Sequence, residues 1–161
     1  GFAGLVGSNR FFDFDLEQVL GQVQWEPVKL DWGIGTSREI RSLSLEYRFR
    51  PIVHLEYGYV FETGKNENLK EDSEFFRIGP KLRLDLWSTI ELLERFAIHV
   101  DWQYLEGVSG DPDNSKLLET GLTANIDQAG RFQFELTYRD GQVPLIQQDT
   151  DAVNIGLNIK F

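Results

Sequence analysis

The sequence contains no cysteine and no methionine among its 161 residues, and it has only two histidines. The absence of cysteine excludes disulfide bonds, cysteine-ligated zinc sites and thiol catalysis. The absence of methionine, even at position 1, is expected of a processed or excised chain from which any secretory signal has been removed. Several classes of metal and thiol protein are therefore excluded by composition.

Basic residues are few, and long apolar runs are missing. The sequence has 16 lysines and arginines and 26 acidic residues. Its formal net charge of −10 argues against nucleic acid as a partner. No run of about 18 apolar residues occurs, so no transmembrane helix is predicted. The mean hydropathy of −0.32 is typical of soluble proteins. It does not decide the question, because a β-barrel crosses a membrane with alternating apolar residues.

What is present is a period of two from residue 28 onward, in a chain whose length favours one domain. Apolar residues alternate with polar ones, which indicates antiparallel strands with one apolar face. We predict eight strands, at 28–34, 43–49, 53–61, 76–86, 96–104, 118–126, 132–138 and 153–161. Pro80 cannot donate to a strand ladder, so it predicts a bulge or local break, which Gly79 would permit.

The predicted connections alternate in length along the chain. Short or medium turns are predicted at 50–51, 87–95 and 127–130. Longer polar connections are predicted at 62–74, 106–116 and 140–151, with 36–41 as the shortest of that set. Short turns at one end and long loops at the other are typical of an all-β, antiparallel, up-and-down transmembrane barrel over residues 28–161.

The alternation alone would also fit a soluble barrel of lipocalin type, with the apolar face inside. The bulk of that face argues against this alternative, because the interior of a closed eight-stranded barrel is only just wide enough for side chains. Aromatic residues near strand ends also favour a membrane barrel, whose girdles lie at the level of the lipid headgroups. The predicted girdle consists of Phe49, Phe61, Trp87, Trp102, Tyr104, Tyr138 and Phe161.

Charge is balanced on the polar face of the predicted strands. Acidic and basic residues are equally frequent there, so the excess of acidic residues lies in the loops and the N-terminal segment. A confined interior requires such balance, because an unpaired buried charge costs several kcal/mol. The predicted interior network consists of Asp31, Glu46, Arg48, Glu56, Arg77, Lys81, Arg83, Asp85, His99, Asp101, Glu119, Arg131, Glu135 and Arg139.

The last strand carries alternating apolar residues and ends on an aromatic. These residues are Val153, Ile155, Leu157, Ile159 and Phe161. The pattern resembles the C-terminal signal of bacterial outer-membrane β-barrel proteins, which the barrel assembly machinery reads. The wider resemblance is one of architecture, to small barrels of the OmpA, OmpX and PagP types. It implies a Gram-negative outer membrane as location, and membrane lipid, lipopolysaccharide and the assembly machinery as partners.

Residues 1–27 permit two interpretations. Leu16, Val19, Leu20 and Val23 have helical spacing, and Asp15 could cap a helix over 15–25 that lies at the membrane interface. Alternatively, the alternation of Phe12, Phe14 and Leu16 begins another strand at 9–18. In the second case, the chain could be the C-terminal part of a larger barrel.

Candidates for chemistry are weak. His99, Asp101 and Glu56 could form a metal or general-base site, but an internal polar network explains them more simply. Lipid A acyltransferases and deacylases resemble the predicted fold, yet their histidine-containing catalytic sets have no match here. We therefore predict no catalytic residue, no resident metal and no cofactor. Acidic loops 62–74 and 106–116 offer oxygen ligands for a divalent cation.

Three functions follow from these patterns. The first is a surface anchor, receptor or interaction protein whose barrel interior is filled by paired charges. The second is part of a wider porin-like or export channel whose polar face lines a pore. The third and weakest is a lipid-modifying enzyme of the outer membrane. The structure of residues 9–25 distinguishes the first two functions: a helix favours the small self-contained barrel, and a strand favours part of a larger channel.

Overall fold

In the computed structural model, the chain folds as an antiparallel sheet with almost no helix. The structure describes residues 2–11, 16–62, 71–91, 93–110, 114–127, 132–143 and 148–159. Its strands are β1 Phe2–Phe11, β2 Leu16–Trp25, β3 Ser37–Ile40, β4 Leu45–Glu62, β5 Ser73–Ser88, β6 Phe96–Ser109, β7 Ser115–Asn125, β8 Phe132–Val143 and β9 Gln148–Ile159. Two single-turn 3₁₀ helices cover Leu30–Trp32 and Arg41–Leu43.

The sheet has up-and-down topology. Eight strands pair in the order β1-β2-β4-β5-β6-β7-β8-β9, and every neighbouring pair is antiparallel. The short β3 pairs with the first residues of β4. Within the described part of the chain, no pairing joins β1 to β9. The predicted all-β, antiparallel, up-and-down sheet of eight strands is thus confirmed. Two of its strands, β1 and β2, lie in the N-terminal segment, and the strands predicted at 43–49 and 53–61 are the single strand β4.

The tight turn predicted at Arg50-Pro51 is wrong, because β4 is one continuous strand through both residues. The apolar residues keep odd numbers on both sides of Pro51, so the alternation never changes phase. Along one edge of β4, β3 pairs only up to Arg48 and β2 only from Val53. Pro51 falls in this gap, where a missing N–H leaves no strand partner unsatisfied on that edge.

The strand predicted at 28–34 is replaced by a compact excursion between β2 and β3. Its chain folds back on itself, with hydrogen bonds in both directions between the backbones of Lys29 and Ile34. The ammonium of Lys29 lies 3.5 Å from the centre of the Trp32 ring, a cation–π contact. The apolar alternation of 28–34 therefore arises from a closed turn, and it does not mark a membrane-facing strand.

The N-terminal segment forms strands β1 and β2 where the helical alternative placed a helix at 15–25. Val19 and Val23 are exposed on one face of β2, whereas Leu20 is buried on the other. Helical spacing at these positions thus mixes residues from both faces of a strand. Asp15, the proposed cap, lies outside the described residues.

The two faces of the sheet differ sharply in chemistry. The inner face holds buried polar residues. It is formed by the even positions of β2, β4 and β9 and by the odd positions of β5 to β8. The buried polar residues are His54, Glu56, Arg77, Asp85, Asp101, Gln103, Ser115 and Thr137, together with a small apolar cluster of Leu20, Ile52, Val60, Phe75 and Leu105. The outer face exposes large apolar residues, including Val153, Ile155 and Leu157 at 60–72%. Because the described elements form one sheet layer, the inner side chains are buried by curling of the sheet around them.

The strands extend further at the long-loop end than the pattern predicts. β6 runs to Ser109, β8 to Val143, and β9 begins at Gln148, so the predicted loops 106–116 and 140–151 shorten to a few residues. The extensions of β8 and β9 are mostly polar on both faces, which hides the alternation there. The local break predicted at Pro80 is found on the side of β5 that faces β6. Pairing with β6 stops at Ile78 and begins again at Lys81, so Gly79 and Pro80 form no register pair there.

Candidate functional site

A fully buried ion pair lies at the centre of the inner face. Glu56 on β4 and Arg77 on β5 occupy opposite register positions, with 2.7 Å between Oε2 and Nη2 and no exposure of either side chain. Gln22 on β2 approaches the second carboxylate oxygen of Glu56 at 3.5 Å. Arg77 also lies over the Phe75 ring, 5.2 Å from its centre. Three neighbouring strands therefore hold one charge pair away from solvent.

His54 lies beside this pair and connects strands that are not neighbours. Its Nδ1 lies 3.4 Å from the amide nitrogen of Gln24 on β2 and 3.3 Å from that of Gln103 on β6. Both distances are those of a hydrogen bond, and its direction depends on the tautomer of the imidazole. Since β5 separates β4 from β6, the contact with Gln103 requires strong curvature of the sheet.

A larger cluster of charges lies toward the short-turn end, around Asp85. Arg83 bridges two carboxylates, with 2.9 Å from Nε to Asp85 Oδ1 and 3.1 Å from Nη1 to Asp101 Oδ2. Arg48 donates to the other oxygen of Asp85 at 3.1 Å. Lys81 lies 3.7 Å from Asp101. Asp85 and Asp101 thus each contact at least two cations, which compensates the cost of their desolvation.

The network continues across β7 to β9. Glu119 accepts from Arg139 and lies 3.6 Å from the Nε2 of His99. Glu135 accepts from Thr137 at 3.3 Å and from Asn158 at 3.1 Å. Ion pairs and hydrogen bonds therefore link the inner-face side chains of neighbouring strands from β4 to β9.

Gly121 allows the His99 ring to lie against the backbone of β7. A Cβ atom at this position would lie 2.1 Å from the Cε1 of His99, a distance no real contact shows. The absent side chain therefore provides the space for the imidazole beside Glu119.

Most residues of the predicted interior network lie on the inner face and contact one another. Asp31 differs: it is exposed in the 3₁₀ turn, where its carbonyl accepts from Arg38, because 28–34 is not a strand. Glu46 lies on the inner face near the start of β4, and its carboxylate accepts a hydrogen bond from the indole N–H of Trp87 at 2.8 Å. Arg131 lies outside the described residues.

The predicted aromatic girdle is placed mainly on the outer face. Phe61, Trp102 and Tyr138 are exposed there at 38–45%, and Phe49 and Tyr104 are partly exposed. Trp87 differs, because its odd position in β5 puts it on the inner face beside Glu46. Of the terminal signal, Val153, Ile155, Leu157 and Ile159 are exposed on the outer face, and Phe161 lies outside the described residues.

Several inner-face residues were missing from the predicted network. Arg50 lies 3.7 Å from Asp85 and 3.8 Å from Glu26, although the predicted network did not include it. Gln22 and Gln24 were not included because a helix was one of the two predictions for the residues that form β2. The unbroken phase of alternation through β4 is the signal that would have found Arg50.

His99, Asp101 and Glu119 are the described residues closest to a metal-ligand geometry. One ligand atom from each lies within 4.8 Å of the others. Lys81, Arg83 and Arg139 already contact these carboxylates, so a cation would compete with three bound positive charges. A neighbouring cavity of about 40 Å³, lined by Lys81, Asp101, Gln103, Leu117 and Glu119, has room for water. Of the predicted cation-binding loops 62–74 and 106–116, residues 63–70 and 111–113 lie outside the described residues.

Comparison with known proteins gave no match, whether with family models, curated proteins or solved structures. Among the described residues, no helix is long and apolar enough to cross a membrane. The arrangement of this chain's own side chains therefore carries the functional argument.

Proposed function

We propose that this chain is an integral β-barrel protein of a bacterial outer membrane, acting as a surface anchor, receptor or interaction protein. One observation carries the proposal: the buried face of the sheet is charged, and the exposed face is apolar. Glu56 and Arg77 have no exposure, whereas Ile155 is 72% exposed. In water the opposite arrangement would be favoured, because burial of apolar surface drives folding.

A lipid environment removes this conflict. Strands of a membrane barrel direct apolar residues toward lipid and polar residues toward the interior. The outer face carries rows of opposed apolar residues, such as Ile98, Leu122, Leu136 and Ile155 across β6 to β9. The exposed apolar patch is continuous over four strands, and patches of this kind mark membrane or protein contacts.

The paired charges of the inner face favour an anchoring or binding role over conduction. The ion pairs around Asp85, Asp101 and Glu119 link neighbouring strands across the inner face. Charge pairs that tie neighbouring strands together across this face would obstruct the passage of a solute. Binding of a partner would then take place at the connections between strands, and β9 would present its alternating apolar residues to the assembly machinery.

The test measures where single tryptophans lie after refolding into vesicles. The chain has four tryptophans, of which Trp102 is 39% exposed on the outer face and Trp87 donates to Glu46 on the inner face. In a variant that retains only Trp102, acyl-chain-brominated lipid should quench the fluorescence strongly. A variant that retains only Trp87 is the matched control and should be quenched weakly. Equal quenching, or folding of the chain in plain buffer, would overturn the proposal.

A channel is the second candidate, and the open strand order favours it. Phe2–Phe11 and Leu16–Trp25 are strands of the sheet, and no described pairing joins β1 to β9. Further strands inserted between these two edges would widen the barrel, and the same polar face would then line a pore. Single-channel recording in planar bilayers separates the two functions, because a wide lumen gives stable ohmic steps and a filled barrel does not.

A further inference from the structure

Three potential metal ligands converge on the inner face between β6 and β7. His99 and Asp101 are two residues apart on β6, and Glu119 lies directly opposite Asp101 on β7. One ligand atom from each side chain lies within 4.8 Å of the others. The pleat of the sheet brings them together, because alternate residues of a strand share a face with the residues opposite them. Glu56, the third member of the site considered from the sequence, pairs with Arg77 instead.

The orientation of the His99 ring is set by the residue opposite it. The register that pairs Asp101 with Glu119 also pairs His99 with Gly121. Because Gly121 has no side chain, the imidazole lies against β7, and its Nε2 is 3.6 Å from Oε1 of Glu119. One ring nitrogen is therefore directed toward a carboxylate of the neighbouring strand.

Each carboxylate uses one oxygen for an arginine. Oδ2 of Asp101 contacts Arg83, and Oε2 of Glu119 contacts Arg139. The other oxygen of Asp101, Oδ1, is buried and makes no hydrogen bond within the described part of the chain. Asp101 as a whole is only 6% exposed. A buried oxygen without a hydrogen bond is unfavourable, and this one lies where a further cation would satisfy it.

Lys81 is the cation that a metal ion would have to displace. Its ammonium lies 3.7 Å from Oδ1 of Asp101, which is too far for a hydrogen bond. The ammonium is a point charge on a long flexible stem, so it can move away from the carboxylate. Arg83 and Arg139 contact the other oxygens and can keep their positions. The competition therefore comes mainly from one weak contact.

The cluster can be reached from solvent and has room for water. The side chains of His99 and Glu119 are 12% and 22% exposed. The cavity of about 40 Å³ beside the cluster is lined by both Asp101 and Glu119. A cavity of this volume holds water, and water can complete the coordination of a metal ion that has three protein ligands.

We propose that His99, Asp101 and Glu119 bind a divalent first-row transition-metal ion such as zinc. One imidazole nitrogen and two carboxylate oxygens are ligands that zinc accepts. Calcium fits less well, because it takes about six to eight oxygen ligands. The site consists of side chains of one chain and goes beyond the proposed function, so it does not depend on the membrane location.

The experiment measures zinc binding by the full chain refolded into phosphatidylcholine vesicles, or in buffer if the chain folds there. A zinc indicator competes with the protein for Zn²⁺, and the titration gives the affinity. His99→Gln, Asp101→Asn and Glu119→Gln should each weaken binding at least about tenfold, because changes to residues that only support a ligand already cost that much. Lys81→Met should strengthen binding by up to about fivefold, since it removes the competing charge.

Glu135→Gln is the matched control for Glu119→Gln. It is the same substitution on the neighbouring strand β8, and Glu135 accepts hydrogen bonds from Thr137 and Asn158, outside the cluster. It should leave zinc binding unchanged. Gel mobility before and after boiling checks that each variant folds. X-ray absorption of the zinc-loaded wild-type protein needs no variant, and it should show imidazole nitrogen and oxygen ligands at about 2.0–2.2 Å.

Three outcomes would overturn the site. The first is zinc binding that all three ligand variants leave unchanged, which would place the ion in the acidic connections. The second is no binding by the folded wild-type protein at zinc concentrations up to about 1 mM, which would leave the cluster as an ion-pair network only. The third is an absorption spectrum without imidazole. None of these outcomes changes the quenching of Trp102 by lipid, so failure of the metal site is distinguishable from failure of the membrane proposal.

Discussion

Arg77 and Glu56 form an ion pair with 2.7 Å between nitrogen and oxygen, and neither side chain is exposed to solvent. The two residues are directly opposite each other on β5 and β4. On the other face of the same two strands, Tyr57 and Ile78 are exposed. This relationship fixes which side of the sheet is inside.

Removal of one partner of this pair should strongly destabilise the protein. Arg77→Met leaves Glu56 as a buried carboxylate without its main cation, and the expected loss is about 3–5 kcal/mol of unfolding free energy. Adding Glu56→Gln to this variant should recover part of the loss, because no buried charge then remains. Urea unfolding in vesicles, followed by tryptophan fluorescence, measures both values.

Arg41→Gln is the control for this pair. The Arg41 side chain is 91% exposed and lies 3.5 Å from Glu39, so its replacement should change stability by less than about 0.5 kcal/mol. If Arg77→Met behaved like this control, the inner face would be wide and hydrated, and the channel would become the better proposal.

Arg83 and Glu135 should be less critical than Arg77. Loss of Arg83 leaves Asp85 with Arg48 and Asp101 with Lys81, so Arg83→Gln should cost about 1–3 kcal/mol. Glu135 accepts only from the neutral groups of Thr137 and Asn158 among the described residues, and Glu135→Ala should cost about 1 kcal/mol. The same unfolding assay ranks the three variants. A larger loss for Glu135 than for Arg77 would contradict the described network.

Gly121→Ala should disturb His99. The added Cβ would overlap the imidazole, so the ring must leave its position, at a cost of about 1–3 kcal/mol. His99→Ala should remove most of that cost, which a double-mutant cycle would detect. Gly156→Ala is the control, since its Cβ would lie 4.0 Å from the nearest atom and meet no obstacle. Additive losses at Gly121 and His99 would disprove the contact.

The faces of the strands could be predicted from sequence because their period is fixed by covalent geometry. Successive side chains point to opposite faces, so odd and even positions of β4 separate Tyr57 from Glu56 without knowledge of the fold. The same alternation continues through Pro51, where the proline predicted a turn that the structure does not contain. The unbroken alternation of apolar and polar residues was thus more informative about the strand than the single proline.

Register and partner choice could not be predicted in this way. Arg48 and Asp85 are 37 residues apart, and their contact depends on how β4 aligns with β5. Alternation fixes the face of a residue and leaves its cross-strand partner open. Asp31 shows a second limit. It lies in a closed turn whose apolar and polar residues alternate with a period of two, as they would in a strand. Polar strand ends at β8 and β9 show a third, because they carry no alternation.

The apolar outer face should reject charge if it faces lipid. Ile155 is 72% exposed and lies opposite Leu136, in the row that also contains Ile98 and Leu122. Ile155→Arg should reduce the free energy of folding into vesicles by about 2–4 kcal/mol, the range for arginine on the lipid face near the bilayer midplane. Folding yield at increasing urea concentration, read from gel mobility before and after boiling, gives the shift.

Asn154→Arg is the matched control, one residue away on the inner face of β9. Asn154 is exposed and lies opposite Thr137, so an arginine there can reach water or the carboxylate of Glu135. We expect a change below about 1 kcal/mol. The difference between the two variants therefore reports the environment of each face, independent of β-propensity or strand position. Equal tolerance of arginine at both positions would mean that both faces contact water, and the proposed membrane location would then be wrong.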